Sequence, residues 1–204
     1  MSQDHQFGSH LFSAHVPRTK RSKMTVLIVY ATEEGQTARI ARFVEADLRK
    51  AIYATRVVDA MDEKMEISFD GVDTVILAAP VHERRHPKPF EKFLATHRDA
   101  LGCRRTLLLS VSLSAAFPEG LEEAEDYLLE MKMRTRFTPD AEALVAGAVR
   151  ISEYDYFASQ VVRHVVLRDR DFDPTKGEHE FTDWDALRET LSAFLPTRTT
   201  KQET

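Results

Sequence analysis

The chain has 204 residues, 43% of them hydrophobic, which is enough apolar sequence for one ordinary core and excludes disorder over most of its length. A formal net charge of −5 argues against a general nucleic-acid binder, whose electrostatic footprint is basic. Cys103 stands alone, which excludes an intrachain disulfide and a cysteine-based zinc site and fits a reducing, cytoplasmic setting.

Residues 1–23 lack the order of a signal peptide, because their positive cluster follows the weakly apolar part instead of preceding it. They read as a flexible extension, followed by one domain over 24–196 and a flexible tail over 197–204. No apolar run approaches the ~18 to 20 residues needed to cross a bilayer, so membrane contact is expected to be peripheral at most, at the inner face. The run "MTVLIVYA", residues 24–31, is apolar on both faces, as a strand covered on both sides should be. From Gly35 to Lys50, Ile40, Phe43, Val44 and Leu48 recur at helical spacing. Strands are expected at "TRVVDA", 55–60, and more strongly at "DTVILAAP", 73–80. Pro87 lacks the N–H that a first turn leaves unpaired and is placed to open a helix over "PKPFEKFLATHRDAL".

The chain returns as the apolar strand "RRTLLLSVSLSA", 104–115, then an acidic helix over roughly 119–134, then "EALVAGAVR", 142–150, as a fifth strand. Helical stretches follow around 154–168 and 183–195. In the second, Thr182 or Asp183 can cap, and Trp184, Leu187, Leu191 and Phe194 form the stripe. Strands alternating with helices predict a doubly wound α/β sandwich, because parallel neighbours need crossovers. Such sheets bind ligands outside the carboxyl ends of their strands. That rule points to residues 32–37, 80–87 and 112–119.

After the first strand, Thr32, Gly35 and Thr37 stand as T-x-x-G-x-T directly before a helix. A helix N-terminus offers free N–H groups, a glycine allows close backbone approach, and two hydroxyls can donate to phosphate oxygens. The residues alone serve equally as an ordinary helix start. Neither G-x-x-x-x-G-K-[ST] nor G-x-G-x-x-G after a strand occurs, which leaves a monophosphate as the anion to consider.

"VYATEEGQTARIA" resembles the FMN phosphate loop of flavodoxins. The resemblance implies a flavodoxin-like three-layer sandwich with a five-stranded parallel sheet in the order 2-1-3-4-5, and FMN held along Thr32, Glu33, Glu34, Gly35, Gln36 and Thr37. Further on, "VILAAPVHERRHPKPFEKFL", "LLSVSLSA", "RFTPDAEALVAGAVRISEYDYF" and "EFTDWDAL" are similar in order and spacing to the flavodoxin-like, quinone-dependent protoporphyrinogen dehydrogenases. This implies an FMN oxidoreductase of haem biosynthesis, with a porphyrinogen and a quinone as partners. Six electrons would leave protoporphyrinogen IX in three two-electron rounds, each reducing FMN, with the quinone reoxidising it. The chain departs from that family at 82–84, where His-Glu-Arg stands in place of Arg-Tyr-Gly, and at Glu33, where a basic residue is familiar.

The other site candidates each have a plain alternative. Pro80 and Val81 can pack on the flavin ring while a backbone N–H near His82 or Glu83 meets its polar edge; otherwise the segment is a solvated charged loop. By the resemblance, Ser112, Leu113 and Ser114 meet the pyrimidine side; otherwise they are a strand end in water. Tyr154 and Phe157 can stack on a porphyrin or quinone while Arg163 and Arg168 pair a porphyrin's propionates; otherwise they are core residues and cations at a helix C-terminus. His82 and His86 are not read as metal ligands, because Pro87 disfavours a helix across them, and no metal is expected. No spacing singles out a catalytic acid or base.

Two competing functions stay open: a flavodoxin-like electron carrier without a porphyrin substrate, and a domain that kept the fold and lost FMN. A homo-oligomer is left open as well. For Glu33 and Glu34, the expectation is that backbone N–H groups hold the phosphate while both carboxylates turn outward, with Arg39, Arg84 or Arg85 offsetting their charge.

Overall fold

The computed structural model describes residues 24–150 and 178–195. Strand β1 (Thr25–Tyr30), helix α1 (Gln36–Lys50), β2 (Ala54–Asp59) and β3 (Val72–Pro80) come first. Then follow α2 (Lys88–Thr96), the one-turn α3 (Arg98–Gly102), β4 (Arg105–Ser112) and two short 3-10 turns, Ser114–Ala116 and Pro118–Gly120. Helix α4 (Leu121–Thr135), β5 (Ala141–Ala146), β6 (Ala148–Arg150), β7 (Glu178–Glu180) and α5 (Trp184–Phe194) complete the described chain. Strands β1 to β5 form one parallel sheet in the order β2-β1-β3-β4-β5, and β6 and β7 pair antiparallel beside it.

The continuous apolar strands are buried on both faces because each face carries its own helical layer. Val26, Ile28, Ile76, Leu107 and Leu109 pack under Ile40, Val44 and Leu48 of α1 and Leu187, Leu191 and Phe194 of α5. Their neighbours Leu27, Val29, Val75, Leu77 and Leu108 pack on the other side under Phe90, Phe93, Leu94, Leu128 and Met131. Adjacent residues alternate between layers, as the two-residue period of a strand requires.

Three sequence expectations shift in detail. The helix expected from Pro87 onward begins at Lys88, with Pro87 at its cap and Pro89 in its first turn, and it breaks at His97 (φ −103°, ψ 15°). The His97 ring packs against Phe93 at 4.8 Å and Phe69 at 5.4 Å between centroids. The single strand expected over 142–150 is two, β5 and β6, parted at Gly147. The Gly147 N–H donates to the Ser112 carbonyl and its own carbonyl accepts from Phe181, so the chain leaves the main sheet there and joins β7. Of the two candidate caps for α5, Asp183 accepts from the Asp185 and Ala186 N–H groups. Thr182 instead donates to the Ala146 carbonyl at 2.7 Å. The helix expected around 154–168 lies outside the described residues.

Candidate functional site

Gly35 ends the β1–α1 connection at φ 88°, a left-handed conformation that glycine adopts without a Cβ penalty. It is the cap residue of α1, and among the described residues no side chain caps that helix, so its first-turn N–H groups face the loop. Thr32 Oγ1 accepts from the Gly35 N–H at 3.0 Å, which folds the loop back on itself and leaves the Thr32 hydroxyl proton free to donate outward. Thr37 and Gln36 are buried. Gln36 donates to Glu180 at 2.7 Å and Thr182 at 2.8 Å, joining the helix start to the end of β7 and the segment after it.

This loop forms one wall of a cleft at the carboxyl edge of the sheet. Thr32, Glu33, Glu34, Gln36 and Thr37 face Pro80, Val81 and His82 from the end of β3, and Val111, Ser112 and Leu113 from the end of β4. Gly147, Ala148 and Val149 close the far side. The last three were not singled out from the sequence. A glycine inside a strand pattern marks a bulge or a close backbone approach, and Gly147 was that signal.

The remaining candidates are dispersed around the cleft. Ser114 donates to Glu123 Oε2 at 3.0 Å, so its side chain is committed to α4. Ser112 Oγ accepts from the Ala115 N–H at 3.1 Å and shapes the turn after β4. Glu83 sits at the tip of a two-residue turn in which the N–H groups of His82 and Arg85 donate to each other's carbonyls at 2.9 and 3.0 Å. Of the two amides considered for a flavin contact, the turn's own pairing thus uses that of His82 and not that of Glu83. Tyr154, Phe157, Arg163 and Arg168 lie outside the described residues.

Glu33 and Glu34 do not simply turn to water. Both line the cleft, with Glu33 exposed and Glu34 half-buried. His82 Nδ1 lies 4.0 Å from Glu33 and 3.9 Å from Glu34 across the gap. Of the three arginines expected to offset them, Arg39 pairs with Gln36 and Glu180, Arg84 with Glu123 and Arg85 with Glu91. A histidine from the opposite loop also faces the acids. Among the described residues, no group of three or more His, Cys, Asp or Glu is arranged to hold a metal ion.

His86, which follows the His82–Arg85 turn in the chain, is 1% exposed, and burial pushes its imidazole down to about 4. Its Nε2 lies 3.0 Å from Ser110 Oγ, whereas Nδ1 is buried with no partner among the described residues.

A family model described as "Flavodoxin domain" matches residues 27–175. The protoporphyrinogen IX dehydrogenase [quinone] of Escherichia coli strain K12 is 24% identical over 165 residues, which cover 80% of this chain and 91% of that protein. Among solved structures, a short-chain flavodoxin associated with a non-canonical PDU bacterial microcompartment superposes with a TM-score of 0.50 at 12% identity, covering 84% of this chain and 96% of that one.

Proposed function

Because this chain belongs to the flavodoxin domain family, we propose that it is an FMN-dependent oxidoreductase that dehydrogenates protoporphyrinogen IX and passes the electrons to a quinone. The observation that carries the cofactor is the loop from Thr32 to Thr37. A left-handed glycine, a helix start without a side-chain cap and two threonines converge there, a donor set that suits one phosphate. FMN, when bound, supplies the acceptance and return of electron pairs. The chain supplies the rest. Pro80, Val81, Leu113 and Val149 offer apolar walls that keep water from a planar ring, while the Thr32 and Thr37 hydroxyls and the first N–H groups of α1 would hold the phosphate.

The porphyrinogen and the quinone rest on similarity to the E. coli dehydrogenase. Among the described residues no helix is long and apolar enough to cross a membrane. The reading puts the protein in the cytoplasm, with peripheral contact at the inner face of the membrane as its route to a quinone. Anaerobic addition of protoporphyrinogen IX to the flavin-loaded protein tests it: the visible flavin absorption should bleach, and a quinone should restore it. An unchanged spectrum would favour the second reading, an electron carrier without a porphyrin substrate. The acidic exposed face of α4, with Glu122, Glu125 and Asp126, favours that reading by offering charge to a basic redox partner.

Thr37→Ala is expected to weaken FMN binding by about 1 to 3 kcal/mol, the worth of one charge-assisted hydrogen bond. Titration of apo-protein with FMN measures it, and equal affinity in variant and parent would remove Thr37 from the site.

Glu33→Gln should act in the opposite direction. At about 7 Å, a carboxylate repels each unit of phosphate charge by roughly 0.6 to 2.4 kcal/mol for effective dielectrics between 80 and 20. Glu33 is exposed, so the smaller end applies, and moderate salt should shrink the gain by screening. Weaker binding by the variant would show instead that this carboxylate accepts a needed hydrogen bond.

A further inference from the structure

Glu83 and Arg84 both have positive φ, 48° and 63°, although neither is glycine. With the reciprocal hydrogen bonds between His82 and Arg85, they form the central pair of a two-residue turn of the kind that ordinarily requires Asn-Gly. Side chains in this region of backbone space are strained, and such strain persists only where the surroundings over-determine it. Helix α4 provides those surroundings. Arg84 Nη1 donates to Glu123 Oε1 at 2.6 Å, and its guanidinium lies 5.2 Å over the Tyr127 ring. The second Glu123 oxygen accepts from Ser114 at 3.0 Å. A hydrogen bond from Tyr127 is the largest of the causes that hold the Glu123 carboxyl below the usual carboxylate range. An exposed ion pair alone holds little. Here one carboxylate gathers an arginine and a serine, and so ties α4 to both loops that flank the cleft.

We propose that Glu123 is a positioning residue for the cofactor site: through Arg84 it clamps the His82–Arg85 turn in its left-handed form and so fixes the wall of the cleft that His82 lines. The inference rests on the FMN reading for its binding consequence, but the clamp itself is a property of the apo-protein. Glu123→Gln keeps the volume of the side chain and one acceptor oxygen while removing its charge and its second acceptor. It should weaken FMN affinity about fivefold, the scale of one ion pair set in a network, and speed amide exchange at His82 and Arg85 in the apo-protein. Arg84→Gly supplies a residue for which positive φ costs nothing, so its turn no longer depends on Glu123. Adding Glu123→Gln to Arg84→Gly should then change neither readout appreciably.

The experiment is the four-protein set of parent, both single variants and the double variant. It is read by FMN titration and by hydrogen–deuterium exchange resolved at single amides. Loss of affinity by Glu123→Gln that is as large in the Arg84→Gly background as in the parent would show a general role in α4 and overturn the clamp. Unchanged exchange at both amides in Glu123→Gln would overturn it as well. If the parent itself takes up no FMN, the cofactor reading fails separately, and the exchange rates still decide whether the clamp exists.

Discussion

Glu91→Ala is expected to lower the free energy of unfolding by about 3 kcal/mol. Glu91 lies on α2 at 6% exposure and receives two guanidinium groups. Arg85 donates to Oε2 through Nε at 3.1 Å and through Nη2, and Arg134 of α4 reaches Oε1 through Nε at 3.0 Å and Nη2 at 2.9 Å. One carboxylate thus ties together α2, α4 and the foot of the turn beside the cleft. Removing one partner of a buried ion pair costs about 3 to 5 kcal/mol, because the other is left charged and desolvated. The side chains of Arg85 and Arg134 are 44% and 31% exposed, so water can reach both, and the lower end applies. Urea unfolding of parent and variant measures the difference. A loss below about 0.5 kcal/mol, the size of an ordinary surface change, would mean that the network is incidental. Glu91→Gln, which keeps the volume and one acceptor, should fall between the two.

The sheet was legible because its strands are short apolar runs and its helices carry single stripes. Val26 to Val29 must be covered on both faces, and Ile40, Val44 and Leu48 must face one layer; the observed cores follow from those facts. The strand order came from the phosphate-loop resemblance, since periodicity says which residues are buried and nothing about which strand lies beside which. What the sequence hid was local. Strands β6 and β7 have three residues each, too few for any period to register, and "EHE" has none of the β-branched or aromatic residues that mark a strand. The break at His97 depends on rings of Phe69 and Phe93 brought together by the fold.

The site divides in the same way. The loop from Thr32 to Thr37 could be singled out because its residue types and spacing suit an anion, although the same residues serve equally as an ordinary helix start. The turn at 82–85 was not, because Glu83 and Arg84 give no hint of positive φ. Its cause lies 39 residues away in Glu123. The role of His82 was hidden too: facing Glu33 and Glu34 is a relation between two loops that meet only at the sheet edge. Contacts between distant segments, set by topology, are where local reasoning ends.

Acid should destabilise this fold through His86 by about 3 kcal/mol between pH 6.5 and pH 4. In the folded protein the imidazole is held neutral, down to about 4, chiefly by burial; Glu91 favours the charged form and Arg134 opposes it. The geometry gives the reason. With a proton on Nε2 the ring can pair with Ser110, and Nδ1 is a bare acceptor. A second proton would place an unpaired N–H and a charge in the core, which is costly. The unfolded chain carries no such penalty and titrates near the ordinary value of about 6.5. Above that pH both states are neutral and His86 adds no pH dependence. Below it the unfolded state binds the proton and the folded state does not, so stability falls by about 1.4 kcal/mol per pH unit until the folded ring titrates near 4. Carboxylates that gain partners on folding, Glu123 among them, lose their contribution in a lower range, so the interval from 6.5 to 5 belongs to histidine. Replacement by a residue that does not titrate isolates the effect. His86→Gln retains a polar contact for Ser110, and its unfolding free energy should be lower at pH 7 yet flatter between 6.5 and 5, with the two curves converging as the pH falls. Equal slopes in parent and variant over that interval would show that the buried imidazole is not the group that titrates.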